Sequence, residues 1–404
     1  MKELFLIFTF LFLCSISCLA QNYYHTIDGP QEEVVVPPPT TGTVINNVTE
    51  LIAGLKSGGN LYLNPGNYVL PSTLNLTDIS NLTVIGANGA IISGNLLALL
   101  KFRGDAKNIT FKNIGFNATA SSTSEGGAIV YFDQTNAENI LFENCDFTCP
   151  NLNANGLKFV SENATRSKNI TINNCNFHHI GRMAIETQNH NNDGIMRITD
   201  VTITNCEFNR LGLQSQYGMA ISLSGSGQNA VLDNNNIVDA KDRGIENVGW
   251  SNIKITNNTF SSPNTDFDLI TCQTDYANGA PYLYNVVISG NNGTVSGLVG
   301  ISNCDGTKFF NNNFHADALN LVSTISSEFY DNTYYSNGGI GLYVENNSDN
   351  NNFHDNTFAT TADNASTVTF YAPSSGNVLT NNILLNQGSG GGLYNDYDGG
   401  NTLN

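Results

Sequence analysis

The sequence predicts an all-β solenoid of stacked parallel strands, on three observations. First, one phrase keeps returning: NITFKNIGF, NILFENCDF, NITINNCNF, DVTITNCEF and NIKITNNTF, then TKFFNNNF, EFYDNTY, NNFHDNTF and NVLTNNI. Its closing position falls at Phe116, Phe147, Phe177, Phe208, Ile237, Phe260, Phe314, Tyr334, Phe358 and Ile383, in steps of 31, 30, 31, 29, 23, 54, 20, 24 and 25 residues. A near-constant period of this size marks a repeat architecture, and the step of 54 reads as two units. Second, each unit holds short runs of alternating apolar and polar residues, and no period of 3.6 survives in the repeats. Third, one such unit cannot bury its own apolar face, so neighbouring units must stack to form a core.

Stacking places equivalent residues on ladders about 4.8 Å apart. Two residues before the closing position stand Cys145, Cys175, Cys206, Asn235, Asn258 and Asn312. An asparagine column there can pair its amides up and down the stack. The three cysteines share the position and are read as small buried residues rather than a disulfide framework. Cys149, Cys272 and Cys304 have no assigned role, and the lack of a CxxC pair argues against zinc.

Taken together, the pattern resembles the right-handed parallel β-helix of the pectate-lyase-like superfold, over residues 44 to 404. The phrase GGNLYLNPGNYVL is similar to the first coil of many enzymes of that group. The resemblance implies a single-stranded right-handed parallel β-helix of about 10–12 coils with an N-terminal cap. The segment from Val48 to Leu55 supplies the cap as a short amphipathic helix. The resemblance says little about activity, because one fold hosts many chemistries.

Upstream, residues 1–20 carry a basic residue, an apolar run and a small residue before Gln21, the pattern of a secretory signal peptide. Lipidation at Cys18 is the alternative. Residues 21–43 contain a proline run and read as a linker or extended lead-in. Nothing further along is apolar enough to span a bilayer. The expected location is secreted, periplasmic or cell-surface.

A formal net charge of −18 with only 12% charged residues argues against nucleic acid as a partner. The distribution is uneven. Excluding Lys2, 13 of the 15 lysines and arginines lie between Lys101 and Lys254. The coils between Phe116 and Ile237 are also the long ones, and extra residues in a solenoid leave as loops on a binding face. His178, His179 and His190 fall in the same region.

The second strand of each central coil aligns as Gly156-Leu-Lys-Phe-Val, Ala184-Ile-Glu-Thr-Gln, Ala220-Ile-Ser-Leu-Ser and Gly244-Ile-Glu-Asn-Val. With Leu157, Ile185, Ile221 and Ile245 inward, alternation puts Lys158, Glu186, Ser222 and Glu246 on one exterior ladder. Gly156, Ala184, Ala220 and Gly244 are expected to form a small-residue strip beside it, giving a shallow groove. Arg182 and Arg243 each precede a ladder glutamate. Two coil steps separate Glu186 and Glu246 by about 9.6 Å at the backbone.

Three functions fit these residues. The first is a polysaccharide lyase acting next to a uronate. Enzymes of the superfold it resembles use Lys or Arg as base and often Ca²⁺. That implies Lys158, Lys241, Arg182 or Arg243 as base or carboxylate clamp, with Glu186, Glu246, Asp239 and Asp242 as oxygen ligands for Ca²⁺. The second is a glycoside hydrolase with Glu186 and Glu246 as acid and base, tuned by His178 or His179. The DD pair and GHG motif of the polygalacturonase-like hydrolases are absent. The third is a non-catalytic glycan-binding or structural surface protein. Gln188 and Ser222 are expected to contact sugar, Trp250 to offer a stacking platform, and Tyr217 to assist, ahead of Tyr276, Tyr282 and Tyr284. An ice-binding surface is disfavoured because the ladder is mixed and charged.

Overall fold

The computed structural model describes residues 42–404, except 190, 192, 265–266, 275–281 and 398. The signal-peptide and lipidation expectations, most of the proline-rich lead-in, His190 and Tyr276 lie outside the described residues. Every strand pairing is parallel, and each coil supplies three faces. One coil runs from Asn155–Val160 on face one, through Ser167–Asn173 on face two, to Asn176–Ile180 on face three. The next repeats the path as Ile185–Gln188, Ile198–Thr204 and Glu207–Leu211. In several coils one bent strand covers faces one and two, as in Leu100–Lys112 and Ala128–Glu143, so these faces merge into one 23-stranded sheet. Among the described residues, face three is a separate sheet of 13 strands. That is slightly more coils than the phrase count suggests. Its first two strands, Gly66–Val69 and Ala90–Gly94, precede the first copy of the phrase.

Face three shows why the phrase closes on an apolar residue. Phe116, Phe147, Phe177, Phe208, Ile237 and Phe260 stand in register and point into the core. The first four rings stack with centroids 5.0, 4.5 and 5.3 Å apart. The long step resolves as two coils, since Gly293 pairs both Phe260 and Phe314. At the far end the register corrects the expectation by one residue. Leu384, not Ile383, pairs Phe358, and Ile383 is 56% exposed.

The turn between faces two and three needs a residue with positive φ. Asn113, Asn144, Asn174, Asn205, Asn234 and Asn257 all supply it, with φ between 50° and 57°. Asparagine visits this region more easily than other side-chain-bearing residues. The next residue turns inward. In the upper coils it is Cys145, Cys175 or Cys206, all buried free thiols. In the lower coils it is an asparagine whose Oδ1 accepts both the backbone N–H and the Nδ2 of the asparagine one coil above. The contacts from Asn291 to Asn312 are both 3.0 Å, and those from Asn312 to Asn332 are 2.9 and 3.0 Å. Asn312 Nδ2 also donates to the Ile288 carbonyl at 3.0 Å. The column therefore carries its buried amides fully paired.

The N-terminal helix is Val48–Ser57, two residues longer than expected. Asn47 caps it by accepting from the Glu50 N–H at 3.0 Å, and Glu50 accepts from the Asn46 N–H at 2.7 Å. Leu51 and Leu55 are fully buried and close the first coil. Among the described residues no helix is long and apolar enough to cross a membrane.

The column makes a graded prediction. Asn312→Ala orphans the buried Asn291 N–H, which costs about 1–3 kcal/mol and lowers the denaturant midpoint of unfolding. Asn312→Cys, which restores the residue type of the upper coils, loses less. Equal midpoints for Asn312→Ala and the parent would mean the column is not load-sharing.

Candidate functional site

The face-one register is the expected one. Leu157, Ile185, Ile221 and Ile245 pair in sequence and are fully buried, and Lys158, Glu186, Ser222 and Glu246 form the next column outward, but Glu186, Ser222 and Glu246 are themselves buried rather than exposed as expected. The column continues toward the N-terminus through Tyr131 and Lys101. The small-residue strip is not a groove wall. Gly156, Ala184, Ala220 and Gly244 are buried at the corner under the face-three rings. A Cβ on Gly244 would sit 2.7 Å from the Phe260 ring. The strip is small because the aromatic stack leaves no room there.

At Glu186 three donors meet one oxygen. Asn155 Nδ2 lies 2.6 Å, Lys158 Nζ 2.9 Å and Arg182 NH1 3.2 Å from Oε2. The Glu186 side chain is 4% exposed, while those of Lys158 and Arg182 are 12% exposed. Arg182 is also held from the loop side. Its NH2 reaches Glu125 at 2.8 Å, and its guanidinium lies 5.7 Å from the Tyr217 ring centroid. One coil above Lys158, Tyr131 carries Lys101 over its ring at 5.1 Å. Lys101 and Arg103 both grip Asp133, at 2.9 and 2.6 Å. Burial raises the Asp133 carboxyl, but the contacts with Lys101 and Arg103 outweigh it and hold it below the usual carboxylate value. Burial, then the Asp133 charge, pushes the Tyr131 phenol well up, so it stays protonated at neutral pH.

Two coils on, Glu246 accepts from Ser222 Oγ at 2.7 Å and is paired with Arg243 NH1. Arg243 Nε is 3.8 Å from Asp242 and 3.9 Å from Asp268. One guanidinium thus serves three carboxylates. Burial raises the Asp242 carboxyl, Arg243 partly opposes this, and Glu246 and Asp268 add to the rise. Lys241 is exposed at the rim. Gln188 lies in the outer row of face one, in register with Val160 and Ser224.

Other expected site residues lie elsewhere. His178 and His179 stand on face three, beside a shallow groove lined by Asn117, Asp146 and Thr148. Arg210 can only donate, so its 2.9 Å contact makes His179 Nε2 an acceptor. His179 then carries its proton on Nδ1 and donates to His178 Nδ1 at 2.8 Å, leaving His178 Nε2 to donate to Asp146 at 3.0 Å. The pair is satisfied within this chain of contacts and does not tune Glu186 or Glu246. Trp250 is fully buried and cannot be a sugar platform. Its ring covers Gly227, where a Cβ would lie 2.2 Å away. Tyr284 belongs to a short strand paired with Cys304–Asp305, off the ladder, and Tyr282 shortly precedes that strand.

The calcium set does not assemble. Asp239 accepts from Asn264 at 3.2 Å, Glu186 and Glu246 are separated by the Ser222 rung, and each is taken by an arginine. Among the described residues no group of three or more His, Cys, Asp or Glu could hold a metal ion.

Sequence reasoning missed Lys101, Tyr131, Asp133, Asn155 and Glu125. The first two were signalled. Leu100-Lys101-Phe102 and Val130-Tyr131-Phe132 repeat the inward-outward-inward pattern of Leu157-Lys158-Phe159.

Comparison with known proteins agrees with this architecture. The chain is a right-handed parallel β-helix protein, and residues 75–260 match the family described as right handed beta helix region. No curated protein matches it in sequence. Among solved structures, it is similar to the A-module of a mannuronan C-5 epimerase from Azotobacter vinelandii, with TM-score 0.57 and 14% identity, covering 89% of this chain and 98% of that one. It is also similar to a mannuronic acid specific polysaccharide family 6 lyase from human gut microbiota, with TM-score 0.54 and 13% identity, covering 84% and 87%. A GH87 alpha-1,3-glucanase from Streptomyces thermodiastaticus gives TM-score 0.59 and 14% identity, covering 91% and 70%. At these identities the likeness is one of fold.

Two measurements check the geometry. The single tryptophan should emit at short wavelength, resist aqueous quenchers and ignore added saccharide; ready quenching would place Trp250 at the surface. Asp133 is depressed in the fold, so its contribution is present above the unfolded carboxylate value of about 4 and is lost as pH falls through the folded value. Asp133→Asn should therefore be less stable than the parent at neutral pH, with the gap closing below about pH 4. A gap independent of pH would mean Asp133 contributes by packing alone.

Proposed function

We propose that the protein is a secreted carbohydrate-active enzyme that cleaves a uronate-containing polysaccharide by β-elimination along the face-one ladder. The observation that carries this reading is the run of Lys101, Tyr131, Lys158 and Glu186 on one ladder, with Arg182 joined to Glu186. β-Elimination needs the charge of the substrate carboxylate offset, a base for the proton on C5, and a donor for the oxygen leaving C4. Arg182 binds the carboxylate and makes the C5 proton more acidic. Lys158, held 2.9 Å from Glu186, gives its own proton to solvent and in its neutral form takes the C5 proton. The C4–O bond breaks, a C4–C5 double bond forms, and Tyr131 gives its proton to the departing oxygen. Tyr131 is assigned the donor role because it stands one rung from Lys158 on the ladder and a phenol carries its proton at neutral pH. Asn155, Glu125 and Tyr217 hold Arg182 and Glu186 in place.

The same contacts argue against hydrolysis by Glu186 and Glu246. Each is already engaged within the protein, Glu186 by Arg182 and Lys158 and Glu246 by Arg243 and Ser222. Two of the similar structures are named for enzymes of mannuronan or mannuronic acid, which supports a uronate polymer here. Calcium has no step in this scheme, since its expected ligands are taken by other partners.

The test is a polysaccharide panel read for the ultraviolet absorbance of an unsaturated uronate and, in parallel, for new reducing ends. Absorbance rising with reducing ends is expected. Reducing ends alone would mean hydrolysis, and neither would favour the binding or structural reading. Tyr131→Phe and Glu186→Gln should each lower turnover about 10²-fold or more while leaving the fold intact. Full activity in both variants would remove this ladder from the mechanism.

A further inference from the structure

Face three changes character at its upper end. In the outward column just before the closing residue, Gly115 stands between Ile91 and Asp146, and Asn176, Asn236, Asn292 and Asn313 follow in later coils. The later members bond along the column. Asn176 donates to Asp146 at 2.8 Å, Thr259 to Asn236 at 2.8 Å and Asn313 to Asn292 at 3.2 Å. Gly115 has no side chain to offer, and the shallow groove of about 340 Å³ opens beside it. Ile91 lines the groove with apolar surface, and Asn88, Asn113, Asn117, Asp146 and Thr148 bring polar groups. A Cβ on Gly115 would lie 3.2 Å from the Ile91 side chain, so a larger residue would take up this space.

The polar groups here are unspent. Asn144 and Asn174 each donate to the asparagine one coil above, at 3.0 and 2.7 Å. Asn113 heads that column, because Gly86 follows Ile85 where Asn113 follows its register partner Lys112. The Asn113 Nδ2 therefore has no amide oxygen above it. Among the described residues, the side chains of Asn88, Asn117 and Thr148 have no hydrogen-bond partner either. Asp146 keeps spare lone pairs after accepting from Asn176 and His178.

We infer that this groove is a second carbohydrate site, which binds an uncharged sugar of a glycan chain and does not cleave it. Its volume lies at the lower end of the roughly 300–1,000 Å³ of small-molecule sites, which suits a short stretch of sugar. A pyranose has an apolar C–H face and a rim of hydroxyls. Ile91 meets the face. Asn88, Asn113, Asn117 and Thr148 donate to hydroxyl oxygens, and Asp146 accepts hydroxyl protons. Among the described lining residues Asp146 alone is charged, so a sugar carboxylate would meet a like charge with no cation to offset it. The groups for cleavage are not in this lining, since hydrolysis needs a second carboxylate and elimination needs a base beside a carboxylate clamp. The site is independent of the proposed elimination, which runs on face one, and it tethers a glycan away from that ladder.

The test follows the Ile91 methyl signal of the full chain by NMR, with isoleucine methyl labelling and assignment by Ile91→Val. Cellohexaose, mannohexaose and xylohexaose are titrated as neutral probes and a hexagalacturonate as the acidic one. At least one neutral probe should shift the signal with a Kd on the order of millimolar, and the acidic probe should leave it in place. Gly115→Asn supplies the residue that Asn176 and Asn292 place farther along the same column. It should weaken binding about tenfold with the unfolding midpoint unchanged. Thr148→Ala, which deletes one hydroxyl, should weaken it several-fold and serves if Gly115→Asn perturbs the fold. No shift with any neutral probe, an equal or larger shift with the acidic one, or unaltered binding in Thr148→Ala each overturns the inference. A Tyr131→Phe variant that loses turnover should keep the Ile91 shift, and loss of both would overturn the separation of the two sites. Absence of cleavage on any polysaccharide, with the Ile91 shift intact, removes the elimination reading and leaves this one standing.

Discussion

The structure depends on one constraint: identical register between parallel strands from coil to coil. A slip of one residue would exchange every inward side chain for an outward one. Two kinds of column oppose it. Apolar residues such as Leu157, Ile185, Ile221 and Ile245 lose their burial if they slip. The asparagine column loses paired amides, because each Oδ1 serves the backbone and side chain of one particular neighbour. The first term is large and tolerant of shape. The second is smaller and specific, since a buried donor without an acceptor is costly.

Fixed register turns sequence spacing into surface geometry. Once Ile185 is inward, Glu186 must face outward, and Lys158 and Ser222 must flank it at one strand spacing. The ladder therefore brings together residues up to 145 positions apart, from Lys101 to Glu246. The loops supply what strands cannot. Arg182 emerges just before its strand and is clamped by Glu125 and Tyr217 from two other coils. Ladder and rim together hold charged side chains that are mostly paired with one another.

The departures from the sequence reading share a cause. Trp250 and the strip at Gly156 and Gly244 lie where one face turns into the next, and there side-chain alternation no longer tells inside from outside. His178 and His179 look adjacent to the basic region in the sequence, yet they sit on face three and close on Asp146 and Arg210. Closeness along a coil is not closeness across it.

By itself the sequence determined the solenoid, most of its coil repeats to within a residue, the core columns and the register, though not the burial, of the Lys158–Glu186–Ser222–Glu246 ladder. All of these follow from periodicity, which is a local property of the chain. Only the tertiary structure decided which side chains meet. It joined Tyr131, Lys101 and Asp133 to Lys158, three coils brought Arg182 its partners, and Arg243 was left among three carboxylates. Those contacts depend on loop paths and rotamers at the rim. No repeat period governs either, so the charge pattern of the ladder appears only when the coils are stacked.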